Sequence, residues 1–122
     1  MSEHWKDLSE QTGQSTDAIQ KWEFSFKKVG AAVEDAARAF DMLEEAKKAA
    51  MEDSGPAGDA ARRKLTGLGL SPAEIAAMRG PELLNAAGGR YDPENEASRQ
   101  GAVDMFGVKR GGKIMAGARE YA

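Results

Sequence analysis

Between Ile19 and Ala50 the chain carries apolar residues at steps of mostly three and four: Ile19, Trp22, Phe26, Val29, Val33, Ala36, Phe40, Leu43 and Ala50. Such spacing keeps one face of an α-helix apolar over many turns, which a strand with its period of two cannot do. Lys47 interrupts the last heptad. Ser15 stands before the run as an N-cap, and Asp17 puts a carboxylate in the first turn, where it complements the helix dipole. The spacing predicts one long amphipathic helix from Thr16 to about Asp53, stopped by "SGPAG". Glu34, Asp35, Glu44, Glu45 and Lys48 flank the stripe and read as a solvated face.

A straight helix of that extent spans roughly 55 Å at about 1.5 Å per residue. A compact chain of 122 residues has a radius of gyration of only about 14 Å. Either Gly30 bends the helix and the remaining segments fold back over it, or the stripe packs on a second copy or another partner. Ile19, Trp22, Phe26, Val29, Val33, Phe40 and Leu43 are therefore the candidate interaction stripe.

The remainder predicts short helices punctuated by glycine. Before the stripe, a helix from Glu3 to Gln11 has Ser2 as N-cap and Gly13 as terminator, with Trp5 and Leu8 filling a hydrophobic niche. After it, 54–58 reads as a linker, Asp59–Thr66 as a helix and "GLGL" as a turn. "SPAE" supplies Ser71 as cap, Pro72 at the first helical position and Glu74 returning to the cap, opening a helix that ends near Arg79. Gly80 and Pro81 break it, and Glu82–Ala87 forms a further short helix ended by Gly88 and Gly89. "DPENE" places Asp92 as cap for a helix running to Phe106 and closed by Gly107, and a last piece covers Lys113–Tyr121. The fold class is all-α: residues 1–53 hold the short and the long helix, 59–122 a cluster of short ones, together one domain.

Charge excludes some functions. Lys and Arg number 17 against 20 Asp and Glu, a formal net charge of −3, so the whole-chain basic footprint of a general nucleic-acid binder is missing. Without cysteine there are no disulfides, thiolate metal sites or cysteine nucleophiles. No stretch is apolar for long enough to span a bilayer, and the first residues lack the apolar core of a signal peptide. His4, the only histidine, has neither triad partners nor metal-ligand spacing around it, so no catalytic residue, metal or cofactor is assigned. "KWEFSFKK" mixes bases with aromatics as a membrane-surface helix does, but Trp22 and Phe26 belong to the stripe, which leaves Phe24 as its only outlying aromatic.

"FGVKRGGKIMAG" comes close to a phosphate-binding loop through Gly107, Gly112 and Lys113. That loop needs a preceding strand and a Ser or Thr after the lysine to hold magnesium; here a helix precedes and Ile114 follows. The stretch reads instead as a connector in which Gly107 closes one helix and the glycine pair gives freedom before the next. Lys109, Arg110, Lys113 and Arg119 form a candidate basic patch, with Arg62, Arg63 and Lys64 as candidate additions, that would hold nucleic acid non-specifically.

Four segments, in order, carry a resemblance. "LSEQTGQSTDAIQKWEFSFKKVG" is a short helix, a glycine turn and Ser-x-Asp leading into a long amphipathic helix. "RRKLTGLGLSPAEIAAMRGPE" is a leucine–glycine turn before a brief capped helix, and "YDPENEASRQGAVDMFG" is an Asp-Pro start leading to a helix that closes on Met-Phe-Gly. "VKRGGKIMAG" is a polar, glycine-containing joint. Together they resemble a segment of the tail tape-measure proteins of bacteriophages and prophages. Members of that family are usually many times longer, so the chain stands either as a segment of such a protein or as a small protein retaining the module. The resemblance implies structural work in virion assembly, first in the bacterial cytoplasm and then in the virion tail. It implies self-association or contact with a chaperone, tail-tube or initiator component as partner, and it carries no catalytic residue. The alternatives are a helical nucleic-acid-binding domain and a small regulatory or chaperone-like helical protein.

Overall fold

The apolar stripe does not lie on one helix. In the computed structural model, which describes residues 3–122, it is divided between α2 (Thr16–Lys28) and α3 (Val33–Glu52). Gly30 adopts φ +76°, a backbone state that side chains disfavour, and the end of α2 closes around it. Gly30 N–H donates to the Lys27 carbonyl at 3.1 Å and Ala31 N–H to the Phe26 carbonyl at 2.9 Å, the paired bonds of a Schellman stop. The chain restarts as α3 when Asp35 Oδ2 accepts from Ala32 N–H at 3.2 Å. The expected single helix over Thr16–Asp53 is thus corrected to two, broken where glycine permits the turn.

Six further helices complete the described residues, which contain no strand: α1 (Glu3–Thr12), α4 (Pro56–Gly67), α5 (Pro72–Ala77), α6 (Gly80–Arg90), α7 (Glu96–Phe106) and α8 (Gly111–Tyr121). Ser2, the expected cap of α1, lies outside the described residues, as does the His4 side chain. Ser15 caps α2 by accepting from Ala18 N–H, and Ser71 and Glu74 form the expected capping box. Several boundaries differ from expectation. Pro56 begins α4, so most of the 54–58 linker is helix, and Gly58 lies flat against the Asp53 carbonyl. α5 stops at Ala77, and Gly80 and Pro81 open α6 rather than break it. The Asp92-Pro93 pair makes a turn, and Asn95 is the residue that caps α7.

The stripe is covered by the chain itself. Ile19, Trp22, Phe26, Val33, Phe40 and Leu43 are buried, and Val29, at the break, is half-buried. They join Leu65, Leu70, Leu83, Leu84 and Met115 in one core drawn from both halves of the sequence. α4 and α6 pack on α3, while α8 packs on α2, α6 and α7. A second copy is therefore not what closes this face.

Glycine lets these helices approach to backbone contact. A Cβ at position 117 would stand 2.5 Å from the Phe26 ring, one at 88 would stand 2.4 Å from the Ala118 carbonyl, and one at 101 would stand 2.2 Å from the Gly67 carbonyl. The pair Gly111–Gly112, expected to be a loose joint, is the first turn of α8. Gly111 is pressed on Ala102, where a Cβ would meet the carbonyl oxygen at 2.5 Å, whereas Gly112 faces open space.

Two stability measurements check this packing. Gly111→Ala should lower unfolding free energy by about 2 kcal/mol through overpacking, while Gly112→Ala should raise it by about 0.5 kcal/mol; denaturant titration distinguishes them. Phe26→Asp, which would dissociate an oligomer if the stripe were an interface, should instead unfold the monomer, read by far-UV circular dichroism, because it buries an unpaired carboxylate.

Candidate functional site

The basic residues near the C-terminus do not form one patch. Lys109 and Arg110 stand in the turn before α8 and Lys113 in its first turn, but Arg119 is six residues further on, about 120° around the helix. Arg110 Nη1 lies 3.5 Å from Asp35 Oδ1, and Lys113 Nζ comes up beside Gly30. Lys28, in the last turn of α2, pairs with Glu120 at 3.9 Å. The helical period thus turns Arg119 away from Lys113, and the acids Asp35 and Glu120 lie among these bases. Arg62 does not join either group: its guanidinium donates to the Ala50 carbonyl at 2.6 Å and to the Asp53 carbonyl at 3.3 Å, capping the end of α3.

Other charged side chains hold helix ends together. Glu44, expected on a solvated face, accepts from Gly80 N–H at 2.7 Å and from Arg79 Nε at 3.0 Å, so a carboxylate of α3 caps the start of α6. Burial raises its pKa, but the Gly80 N–H and the Arg79 guanidinium together outweigh that and leave it below the ordinary value. Lys47 donates to the Met78 carbonyl at 2.6 Å, which accounts for a lysine in the apolar register. Glu74 receives both terminal nitrogens of Arg90, each at 2.6 Å, and Arg90 also donates to the Gly69 carbonyl at 2.7 Å. The Arg90 hydrogen bond, followed by the Ser71 N–H, holds the Glu74 carboxyl at about 2. Among the described residues no group of three or more His, Asp or Glu is arranged to hold a metal ion.

The outward face of α2 is different in kind. Its inward residues are Ile19, Trp22 and Phe26; its exposed ones are Asp17, Lys21, Phe24, Lys27 and Lys28. Phe24 is 63% exposed, one of three exposed large apolar side chains among the described residues, with Met51 and Val108. Lys28 Nζ covers part of its ring, 4.7 Å from the centroid. Beside it, Trp5 of α1 and the outward face of α2 border a shallow, open depression lined by Gln20, Lys21, Glu23, Phe24 and Lys27, with Asp17 at one end. Trp5 is half-buried in that wall and donates from Nε1 to Glu23 Oε2 at 3.1 Å, while Leu8 is buried in the niche expected for both. Phe24 was visible in the sequence as the aromatic off the stripe; the depression was not, because it depends on how α1 lies on α2.

No protein-family model, curated protein or solved structure matches the chain.

The Glu74–Arg90 pair sets an acid limb of stability. A carboxylate depressed from 4.5 to about 2 contributes stability that is complete above about pH 4.5 and lost as pH falls towards 2. Arg90→Ala should remove much of that pH dependence while lowering stability at neutral pH; melting temperatures across pH 2 to 7 check it.

Proposed function

We propose that the chain is a non-catalytic assembly module, of the kind found as a segment of phage tail tape-measure proteins, acting by helix-mediated contact with other tail-assembly proteins. The observation that supports this reading is the fit between resemblance and architecture. Leu8–Gly30 corresponds to the end of α1, the turn and α2 up to the glycine stop. Arg62–Glu82 corresponds to the second half of α4, the Gly69 turn, α5 and the first residues of α6, and Tyr91–Gly107 to the Asp-Pro turn and α7. Val108–Gly117 is the joint and the first half of α8. Each resembling segment thus spans a turn together with all or part of the helices it joins. The charged groups with marked geometry, Glu44, Lys47, Arg62, Glu74 and Arg90, serve helix ends, as suits a scaffold.

With the stripe inside the core, contact with a chaperone, tube or initiator component falls to the outward faces. Place of action on this reading is the bacterial cytoplasm during assembly and the virion tail afterwards. Arg110 beside Asp35 and Lys113 beside Gly30, both at the break between α2 and α3, are the one observation that favours a nucleic-acid reading, and the acids Asp35 and Glu120 weigh against it.

The genomic setting tests the first reading: a long parent reading frame among tail genes is the expected result, and a short frame beside a regulator overturns it. For the second, electrophoresis with duplex DNA at low ionic strength should give no salt-sensitive shift; a shift abolished by Lys113→Glu would establish it.

A further inference from the structure

The geometry points to the Asp92–Pro93 bond as a site at which the chain cuts itself, with the Asp92 carboxylate as nucleophile. Residues 92–95 form the turn between α6 and α7, and all four are exposed. Asp92 Oδ1 accepts from Glu94 N–H at 3.0 Å, which lays the carboxyl group along the 92–93 peptide. Its second oxygen, Oδ2, makes no hydrogen bond within the described residues. The carbonyl oxygen of Asp92, on the carbon to be attacked, accepts from Asn95 N–H at 3.1 Å. A backbone donor so placed also holds the oxyanion that forms when that carbonyl is attacked. The leaving group is the proline nitrogen of a tertiary amide. Nucleophile, oxyanion donor and leaving group thus meet in one short turn.

Both sides of the bond are anchored. Tyr91, immediately before it, is buried, and Asp92 N–H donates to Ser98 Oγ at 2.9 Å. Beyond it, Arg99 Nη1 donates to the Pro93 carbonyl at 2.7 Å, and Asn95 caps α7. The carboxylate and the carbon it attacks are therefore held together in the folded chain, where the unfolded chain must find that arrangement by chance. The step needs no co-reactant but water. Oδ2 bonds to the Asp92 carbonyl carbon and closes a cyclic anhydride, while the carbon–nitrogen bond breaks and the Pro93 nitrogen takes a proton from solvent. Water then opens the anhydride, leaving a new carboxyl group at Asp92 and a secondary amine at Pro93. This is a single event within the chain, so it stands beside a non-catalytic assembly role. After it, only packing on α2, α4 and α6 would hold α7 and α8 to the rest of the fold. Their departure would bare Phe26 and Trp22, which lie under Gly117 and Tyr121.

Mass spectrometry of the purified chain, held for weeks at about pH 5, tests this; that pH lies above the acid limb set by Glu74, and circular dichroism verifies the fold. Two fragments, 1–92 and 93–122, whose masses sum to the chain plus one water, are expected. They should accumulate at least about tenfold faster than in the same buffer with denaturing urea. Hydroxylamine should trap the anhydride as a hydroxamate on the 1–92 fragment. Asp92→Asn keeps the Oδ1 acceptor, and so the turn, but lacks the carboxylate; it should stay whole. Pro93→Ala should be cut at least about tenfold more slowly. Ser98→Ala, which frees Asp92 N–H without touching the reacting groups, should slow cleavage of the folded chain and not of the denatured one. The inference is overturned if the folded chain stays intact, or if the denatured chain is cut as fast. It is equally overturned if Asp92→Asn is cut like the wild type, which marks a contaminating protease, or if the cut falls at another bond.

Discussion

A phenyl ring seated where a side chain would otherwise stand is the contact on which the rest of the fold depends. Because residue 117 is glycine, Phe26 of α2 lies directly against the backbone of α8. At that separation Tyr121 stacks on Trp22, with centroids 3.6 Å apart and planes within 6°. Trp22 in turn meets Phe26 and Phe40 edge-on at 6.0 and 5.3 Å, which ties α3 to the same cluster. Each such aromatic pair contributes about 1 kcal/mol beyond the area it buries. Once α8 is held there, its remaining small residues decide the neighbours: Gly111 admits α7 and Ala118 admits Gly88 of α6. Any side chain at 117 would push α8 outward and loosen all of these contacts together.

How much of this was legible in the sequence follows from the range of the forces involved. Caps are local, and Ser15, Ser71 with Glu74, and Gly107 were readable because their partners lie within four residues. The break at Gly30 was visible as a possibility only; local sequence does not say whether a glycine in a helical pattern will be crossed or used. What decides it is the need to cover the apolar stripe, which a bent pair of helices satisfies and a rod does not. Glycine was misread elsewhere for the same reason. Gly80, Gly88 and Gly111 looked like breaks, yet each is inside a helix and marks where another backbone comes close. A missing Cβ permits both uses, and only the neighbour distinguishes them.

The charged residues follow the same logic. Lys47 was noticed because it interrupts an apolar register, but its acceptor, the Met78 carbonyl, is 31 residues away. Glu44 and Arg90 gave no local sign, since a polar residue at the edge of a helix face looks identical whether it meets water or the end of another helix. Their partners lie 36 and 16 residues away. The candidate basic patch failed in the opposite direction. Sequence proximity grouped Arg119 with Lys113, whereas the helical period parts them and the fold brings Asp35 up to Arg110.

The aromatic run Trp22, Phe24, Phe26 brings these strands of reasoning to one place. At alternate positions, three aromatics would share a single face of a strand and be buried together. On a helix, positions two apart differ by roughly 200°, so burying Trp22 and Phe26 forces Phe24 to the opposite side. No rotation of α2 removes that conflict, because turning Phe24 inward would expel the two rings on which α3 and α8 are assembled. Exposure of Phe24 is therefore a consequence of the helical period and not of loose packing. The core explains the other two aromatics of the run completely; it gives no reason for the third to be apolar. The ring is left at the surface with the Lys28 ammonium 4.7 Å from its centroid, a contact that covers part of its face.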